Sequence, residues 1–184
     1  MNEGTLSAIA GKDFCVIAAD TRCSLGYSIL GRDVSKITKL TDKICIATAG
    51  MRADAIGLHR MLQTKIKLYQ NKIGSEPGIE AIAQLLSETL YSRRFFPYYT
   101  FNLLCGITKE GEGAIYSYDA IGSYDRVNSS TMGSGSQLVV PILDNQFKDH
   151  NTLEPVQPEN IDEVVNVIKD TIHATAERDI YTGD

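Results

Sequence analysis

Three features of the sequence could supply parts of a hydrolytic site. Asp20 follows the apolar run Phe14 to Ala19, Lys36 lies in a short partly apolar run, and Ala49-Gly50 ends another apolar run just before a helical pattern. Attack on an amide by a terminal hydroxyl needs that hydroxyl, a free amine to take its proton, a cation that favours the alkoxide, and a backbone N–H for the oxyanion. The sequence offers candidates for most of these groups.

Each of these residues also has an ordinary structural interpretation. An aspartate at a strand end is usually a turn or cap residue, and a lone lysine is usually solvated. Removing one partner of a buried ion pair costs about 3–5 kcal/mol, so Asp20 and Lys36 can be structural without touching a substrate. Gly133-Ser134-Gly135 alone indicates only a turn. No single residue therefore establishes a site.

Short apolar runs predict the strands that would position these residues. Leu6 to Ala10 and Phe14 to Ala19 are joined by Gly11-Lys12-Asp13, which indicates a hairpin. Two further apolar runs have no alternating polar residues, which is typical of strands covered on both faces. A second hairpin joins the later of these runs to one more strand. These segments are Ile44 to Ala49, Phe101 to Ile107 and Ala114 to Tyr118.

Helical spacing of apolar residues predicts three helices. They run from about Arg52 to Gln70, from Ile79 to Leu90, and from Ile161 to Ile172. Strands apolar on both faces, alternating with helices, indicate two packed sheets covered outside by helices. We therefore predict an α+β fold, a four-layer αββα sandwich, formed by one domain over residues 1–184.

Composition narrows the classes of partner. The net charge is -5 and the longest basic run is Arg93-Arg94, so neither nucleic acid nor an anionic membrane is favoured. No apolar stretch approaches the ~20 residues of a membrane span. The four cysteines are widely spaced and predict reduced thiols in the cytoplasm or nucleus. We find no metal-ligand cluster and no cofactor motif, and we expect no metal and no cofactor.

The joint spacing of the candidate residues resembles that of beta subunits of the eukaryotic 20S proteasome. In that family an aspartate, a lysine and an oxyanion-hole glycine follow a terminal threonine at the intervals that separate Asp20, Lys36 and Gly50 from Gly4. The segment "FCVIAADTR" from Phe14 and the late "ERDIYTGD" are similar to family segments, and the resemblance covers nearly the whole chain. It implies the N-terminal nucleophile hydrolase fold.

On this resemblance, glycine stands where the nucleophile belongs, and glycine has no side chain with which to attack. The match implies that the residues around the family's active site are vestigial in this chain. At one of these positions, Thr182, active members usually have serine. These positions are Gly4, Asp20, Lys36, Gly50, Ser134, Asp179 and Thr182.

Three further segments resemble the sixth beta position of the ring, which is non-catalytic in this family. They are "YSRRFFPYY" from Tyr91, "GAIYSYDAIGSY" from Gly113 and "LDNQ" from Leu143. The resemblance implies a structural subunit in a 28-subunit core of alpha and beta subunits that serves ATP- and ubiquitin-dependent protein degradation. It also implies that family members continue through a final strand hairpin beyond the equivalent of Asp184.

Two sets of residues are predicted to contact neighbours. The resemblance implies that Asp119 helps to line the substrate pocket of an adjacent chymotrypsin-like subunit, although an ordinary turn aspartate is the alternative. The aromatic stretch Phe95 to Tyr99 suits an interface, because tyrosine and phenylalanine are enriched in interface cores; packing within its own chain is as good an interpretation. The predicted interface residues are Phe95, Phe96, Tyr98 and Tyr99.

Two alternative functions remain. Gly4-Thr5 resembles a junction at which active members cleave themselves, so Thr5 could be the nucleophile, although a shift of one residue along a strand turns its side chain to the opposite face. A stand-alone amidohydrolase would need another nucleophile, for which the candidates are Ser7, Cys15 and Cys23. We expect the helical histidines to lie at the surface or an interface, and no motif ties a histidine to these nucleophiles. The helical histidines are His59 and His173, and His150 is predicted to lie in a polar loop.

Overall fold

The chain folds into strands and helices that a computed structural model describes over residues 4–147 and 158–184. The strands are β1 (Thr5–Ala10), β2 (Cys15–Ala19), β3 (Cys23–Leu25), β4 (Ser28–Gly31), β5 (Ile37–Lys39), β6 (Ile44–Gly50), β7 (Thr100–Ile107), β8 (Gly113–Tyr118), β9 (Tyr124–Val127) and β10 (Ser129–Gly133). The helices are α1 (Arg52–Ile73), α2 (Ile79–Tyr91), α3 (Ser136–Phe147) and α4 (Ile161–Ala176). The predicted α+β class is confirmed.

The strands form antiparallel sheets. One sheet has the order β5-β6-β7-β8-β9, a second has the order β10-β1-β2, and β3 pairs with β4 in a separate ribbon. In the second sheet Leu6 pairs with Ala19 and Ala10 with Cys15, so the predicted β1-β2 hairpin is confirmed. Strand β1 is buried along its whole length and lies between its two partners.

Three clusters of buried side chains hold these elements together. The first joins α1 and α2 to the larger sheet, with Leu58, Leu86 and Leu104 fully buried. The second lies between the two sheets and includes Leu6 of β1. The third joins the β1-β2 hairpin to α3 and α4 through Ile9. Because Leu6 and Ile9 point to opposite faces of β1, this strand contributes to two of the clusters.

Helix α1 connects the end of β6 to α2, and its ends have local causes. It begins at Arg52, directly after Gly50 and Met51, and it ends at Gly74, which has a φ of 80°. A left-handed residue at this position lets its N–H return to the carbonyl of Gln70. The three predicted helices are all present, at bounds slightly longer than the sequence pattern indicated.

Several elements have no counterpart among the sequence predictions. Strands β3 and β5 have three residues each, and β4 is mostly exposed, so none carries a long apolar run. Helix α3 contains Pro141, a residue that ordinarily removes a helical hydrogen bond. It is stabilised by packing of Val139 and Leu143 in the third cluster. Tertiary contacts, rather than local sequence preferences, therefore determine where these elements form.

Candidate functional site

Gly4 lies beside a buried ion pair at the start of β1. The ammonium group of Lys36 donates to Oδ1 of Asp20, and the two side chains are 6% and 0% exposed. The amide of Thr5 donates to the same oxygen over 2.8 Å, and the amide of Gly183 donates to Oδ2 over 3.3 Å. The Asp20 carboxylate therefore ties together β1, the Lys36 segment and the end of the described chain.

The space above Gly4 is filled by this ion pair. A β-carbon built on Gly4 would overlap Nζ of Lys36 and would lie 2.5 Å from Oδ1 of Asp20. Nonbonded carbon and oxygen atoms do not approach so closely without displacing a side chain. The site thus has no nucleophilic atom at residue 4, and the lysine ammonium occupies the volume that a side chain there would need.

Thr5 points away from this ion pair. Its hydroxyl is fully buried and lies 2.6 Å from the hydroxyl of Thr182, which donates to Oδ2 of Asp179 over 2.6 Å. Because the single proton of Thr182 is used on Asp179, the Thr5 hydroxyl must be the donor to Thr182. This geometry is unfavourable for Thr5 as a nucleophile assisted by Lys36.

Asp179 organises the other candidate residues. Its Oδ2 accepts hydrogen bonds from the hydroxyls of Ser134 and Thr182, each over 2.6 Å. The amide of Ser134 donates to the carbonyl of Gly4 over 3.0 Å. The structure therefore brings Ser134, Asp179 and Thr182 together next to Gly4 and Thr5, on the other face of β1 from Lys36.

Gly50 ends β6 at the same edge of the fold. Its φ is +107°, and a β-carbon there would lie within van der Waals overlap of the Tyr99 carbonyl, so a side chain is excluded. Gly50 borders two cavities, of about 240 Å³ and about 400 Å³. The smaller also reaches Lys36, and the larger reaches Ser134. Gly50 thus lies between the cavity that reaches Lys36 and the cavity that reaches Ser134.

His59 is part of a buried polar network at the base of the smaller cavity. Its Nδ1 lies 2.8 Å from the Thr38 hydroxyl and its Nε2 lies 2.7 Å from the Thr48 hydroxyl. Thr48 donates to Oδ1 of Asn102, so it accepts from Nε2–H of the neutral imidazole. Burial lowers the pKa of His59 to about 4.

The expectation of a surface or interface position for His59 is therefore wrong, because the residue is buried and two threonine hydroxyls satisfy both ring nitrogens inside the fold. Sequence analysis also missed the roles of Thr38, Thr48 and Asn102. The only signal in the sequence was that Thr48 and Asn102 are each a single polar residue within an apolar run. His173 is exposed on α4, as expected, and His150 lies outside the described residues.

The buried position of Ser7 bears on the stand-alone alternative. Ser7 is fully buried and its hydroxyl has no hydrogen-bond partner in the described part of the chain. All four cysteines are described and none forms a disulfide. Burial raises the pKa of the Cys45 thiol to about 11 and raises that of Cys105 well above its ordinary value, but neither thiol is among the candidate nucleophiles.

The predicted neighbour-contact residues divide into two groups. Phe95, Phe96 and Tyr99 are 98%, 83% and 41% exposed and are available for contact. Tyr98 is only 7% exposed, packs in the first core cluster and lies under the Arg93 guanidinium, so its assignment to an interface is corrected. Asp119 is exposed at a turn, where Oδ1 accepts from the amides two and four residues later.

Two absences concern the described residues only. Within residues 4–147 and 158–184, no group of histidine, cysteine, aspartate or glutamate side chains is placed to hold a metal ion. No helix in those ranges combines the length and the apolar character of a membrane span.

Comparison with known proteins gives consistent matches over the whole chain. A family model described as "Proteasome subunit" matches residues 1–184. "Proteasome subunit beta type-1" of Oryza sativa subsp. japonica is 49% identical over 188 residues, which cover 100% of this chain and 85% of the relative. The proteins of the same name from Arabidopsis thaliana and Dictyostelium discoideum are each 50% identical, with 100% of this chain and 84% and 79% of the relatives covered.

Proposed function

The chain belongs to the proteasome subunit family, among its beta subunits, and we propose that it is a non-catalytic member of the 20S core. Its function is then to complete a beta ring and to support neighbouring active sites in ATP- and ubiquitin-dependent protein degradation. The observation that carries this proposal is Gly4 itself, which has no nucleophilic side chain and lies beside the buried Asp20–Lys36 ion pair.

The proposal includes the four-layer sandwich of N-terminal nucleophile hydrolases. The three core clusters support it, because they join two helices to the larger sheet, the larger sheet to the smaller one, and the smaller sheet to two more helices. Such a scaffold can keep its shape without its chemistry, because the Asp20 carboxylate still binds two backbone amides as well as Lys36.

The proposed partners are the alpha and beta subunits of a 28-subunit core, and the proposed compartments are the cytoplasm and nucleus. We place the chain at the sixth beta position on the segments Tyr91 to Tyr99 and Gly113 to Tyr124. The designation "beta type-1" of the relatives follows a different numbering. At that position Phe95, Phe96 and Tyr99 would contact a neighbour, and Asp119 would line the pocket of the adjacent chymotrypsin-like subunit.

The direct test is the intact mass of this subunit in native core particles, before and after treatment with an epoxyketone that labels terminal threonines. We expect a mass that includes residues before Thr5 and no adduct, beside labelled neighbouring subunits. An N-terminus at Thr5 that carries the adduct would make this an active threonine peptidase and would overturn the proposal. Absence of the chain from every large assembly would favour a stand-alone amidohydrolase instead.

A further inference from the structure

Three of the four cysteines face the layer between the two sheets. Alternate residues of a strand point to the same side, and Cys45 shares its side of β6 with Ala47 and Ala49 of the second core cluster. Cys105 of β7 is 1% exposed and belongs to the same cluster. Cys15 begins β2 in the smaller sheet and packs against this cluster. Thiols from both sheets therefore meet in one layer.

Cys15 and Cys105 interact through their sulfur atoms. Burial and, secondarily, a hydrogen bond with Cys15 raise the pKa of the Cys105 thiol well above its ordinary value. Strands β2 and β7 contact each other directly, although they belong to different sheets. A disulfide needs neighbouring side chains that point toward each other, and a hydrogen bond between two thiols needs the same arrangement. The pair is therefore placed for a covalent bond between the sheets.

Cys45 is the competing neighbour of Cys105. The two residues lie directly opposite each other in the antiparallel pairing of β6 and β7. Burial raises the pKa of the Cys45 thiol to about 11. The thiolate is the form of cysteine that reacts, so Cys45 is a poor first site of oxidation near pH 7.

Cys15 is accessible to a small oxidant. It is the first residue of β2, which is an edge strand of the smaller sheet within residues 4–147 and 158–184, and its side chain is only partly buried. Hydrogen peroxide can approach this sulfur from solvent, whereas the core shields Cys105. Oxidation therefore begins at Cys15, and Cys105 is the adjacent thiol that reacts next.

We propose that a peroxide oxidises Cys15 and Cys105 to a disulfide that joins the two sheets. In the first step the Cys15 thiolate attacks one peroxide oxygen, the O–O bond breaks, and the sulfur becomes a sulfenic acid. The departing hydroxide takes up the proton that Cys15 released. In the second step the Cys105 sulfur attacks the Cys15 sulfur, the S–O bond breaks, and the second hydroxide leaves as water with the Cys105 proton. One peroxide is reduced to water, and both thiols are oxidised.

The disulfide would restrict motion between the sheets. It would link β2, at an edge, to β7, which lies inside the larger sheet, and it would close a long loop that includes α1 and α2. A crosslink that closes a long loop restricts the unfolded chain strongly. Neither cysteine belongs to the group of residues around Gly4, so the inference holds for a catalytic or a non-catalytic subunit.

The test uses the native subunit, purified in the assembly that contains it and treated with hydrogen peroxide. Free thiols are then alkylated, and the chain is digested with trypsin without reduction. Trypsin cleaves after lysine and arginine, which places each cysteine in its own peptide; these peptides begin at Asp13, Cys23, Ile44 and Phe95. We expect mass spectrometry to find the peptides from Asp13 and Phe95 joined, and to find them separate after dithiothreitol has reduced the disulfide.

Matched variants assign the bond. Cys15→Ala should abolish the joined peptide, whereas Cys45→Ala should retain it, although it removes an equally classed, partly buried thiol that packs on the same cluster. In the wild type, oxidation should also slow hydrogen exchange of the β2 amides, because the crosslink opposes local opening of an edge strand. Cys15→Ala should lose this slowing, and the peptide map of the wild type tests the bond even if a variant does not fold.

Three results would overturn the inference. Met51 is 46% exposed, so its oxidation to the sulfoxide reports that peroxide has reached the subunit. Oxidised Met51 beside Cys15 and Cys105 that are still open to alkylation would exclude the disulfide. A bond between Cys45 and Cys105 would refute the assignment, as would Cys15 sulfinic acid without any joined peptide. None of these results bears on the non-catalytic function, which the labelling of terminal threonines tests separately.

Discussion

The ammonium group of Lys36 occupies the volume in which a β-carbon on Gly4 would lie. The space beside Gly4 is therefore not empty, because the lysine lies close to Asp20 and both are buried. In this arrangement the ion pair has a structural role that does not depend on hydrolysis. Restoring a hydroxyl at residue 4 would require the ion pair to move.

Gly4→Ala should destabilise the subunit. The added methyl group would overlap Lys36 and Asp20, and overpacking of this kind costs about 1–3 kcal/mol. The measurement is the free energy of unfolding in urea. Gly57→Ala is the matched control, because nothing lies within 4 Å of a β-carbon there and the residue is inside helix α1, where alanine is favoured. A neutral or stabilising Gly4→Ala would show that the space above Gly4 is open.

Asp20→Asn should destabilise the subunit by about 3–5 kcal/mol, because it leaves the Lys36 charge buried without a partner. Adding Lys36→Met should recover part of this loss, which a double-mutant cycle in urea denaturation measures. The control Asp42→Asn breaks an exposed pair with Lys39 and should have no measurable effect. Equal effects of the two aspartate variants would contradict a structural role for the buried pair.

His59 should make stability depend on pH. Its pKa is about 4 in the folded state and near 6.5 in the unfolded state, so the unfolded state binds more protons between these values. The associated stability is complete above about pH 6.5 and is lost as the pH falls toward about 4, by about 3 kcal/mol in total.

Denaturation of the wild type and His59→Gln across this pH range measures the effect. The His59→Gln variant should lose this pH dependence of the free energy of unfolding. His173→Gln, which removes an exposed histidine, should keep the pH dependence of the wild type. An NMR titration of the His59 ring with a midpoint near 6.5 would refute the explanation.

Asp119 should affect the activity of a neighbour through its charge. Its Oδ1 accepts from the amides of Ile121 and Ser123, so Asp119→Ala removes both the turn bonds and the charge, while Asp119→Asn keeps an acceptor oxygen. We expect both variants to assemble and both to change the peptide preference of the chymotrypsin-like sites, as measured with fluorogenic peptides. Unchanged cleavage kinetics in the assembled particle would show that Asp119 does not line that pocket.

Phe95→Ser/Phe96→Ser should weaken incorporation into the core particle while leaving the subunit folded, because both rings are largely exposed. Tyr98→Ser is the contrasting variant: it removes a core side chain and should lower the free energy of unfolding by about 3–5 kcal/mol. Native electrophoresis measures incorporation, and circular dichroism measures folding. Normal incorporation of the double variant would assign the exposed phenylalanines to a surface outside any assembly contact.

The predictable parts of the fold share strong local patterns. The β1-β2 hairpin and helix α1 were predictable because long apolar runs or helical spacing mark them. Strand β5 has three residues, and helix α3 contains Pro141, so packing outweighs local preference in both. At the site, the resemblance to the spacing of proteasome beta subunits indicated Asp20 and Lys36. The direction of the Thr5 hydroxyl and the bonding of His59 depend on neighbours distant in sequence.

The bond from Gly183 to Asp20 has a consequence for biosynthesis. The two residues are separated by 163 positions, so the carboxylate that anchors the start of the first strand acquires this partner only after nearly all of the described chain has been translated. Before Ala176 is translated, the nascent β1-β2 hairpin lacks part or all of α3 and α4, which cover its apolar residues in the folded subunit. A nascent chain that has not yet reached Gly183 should therefore expose these residues and require a chaperone.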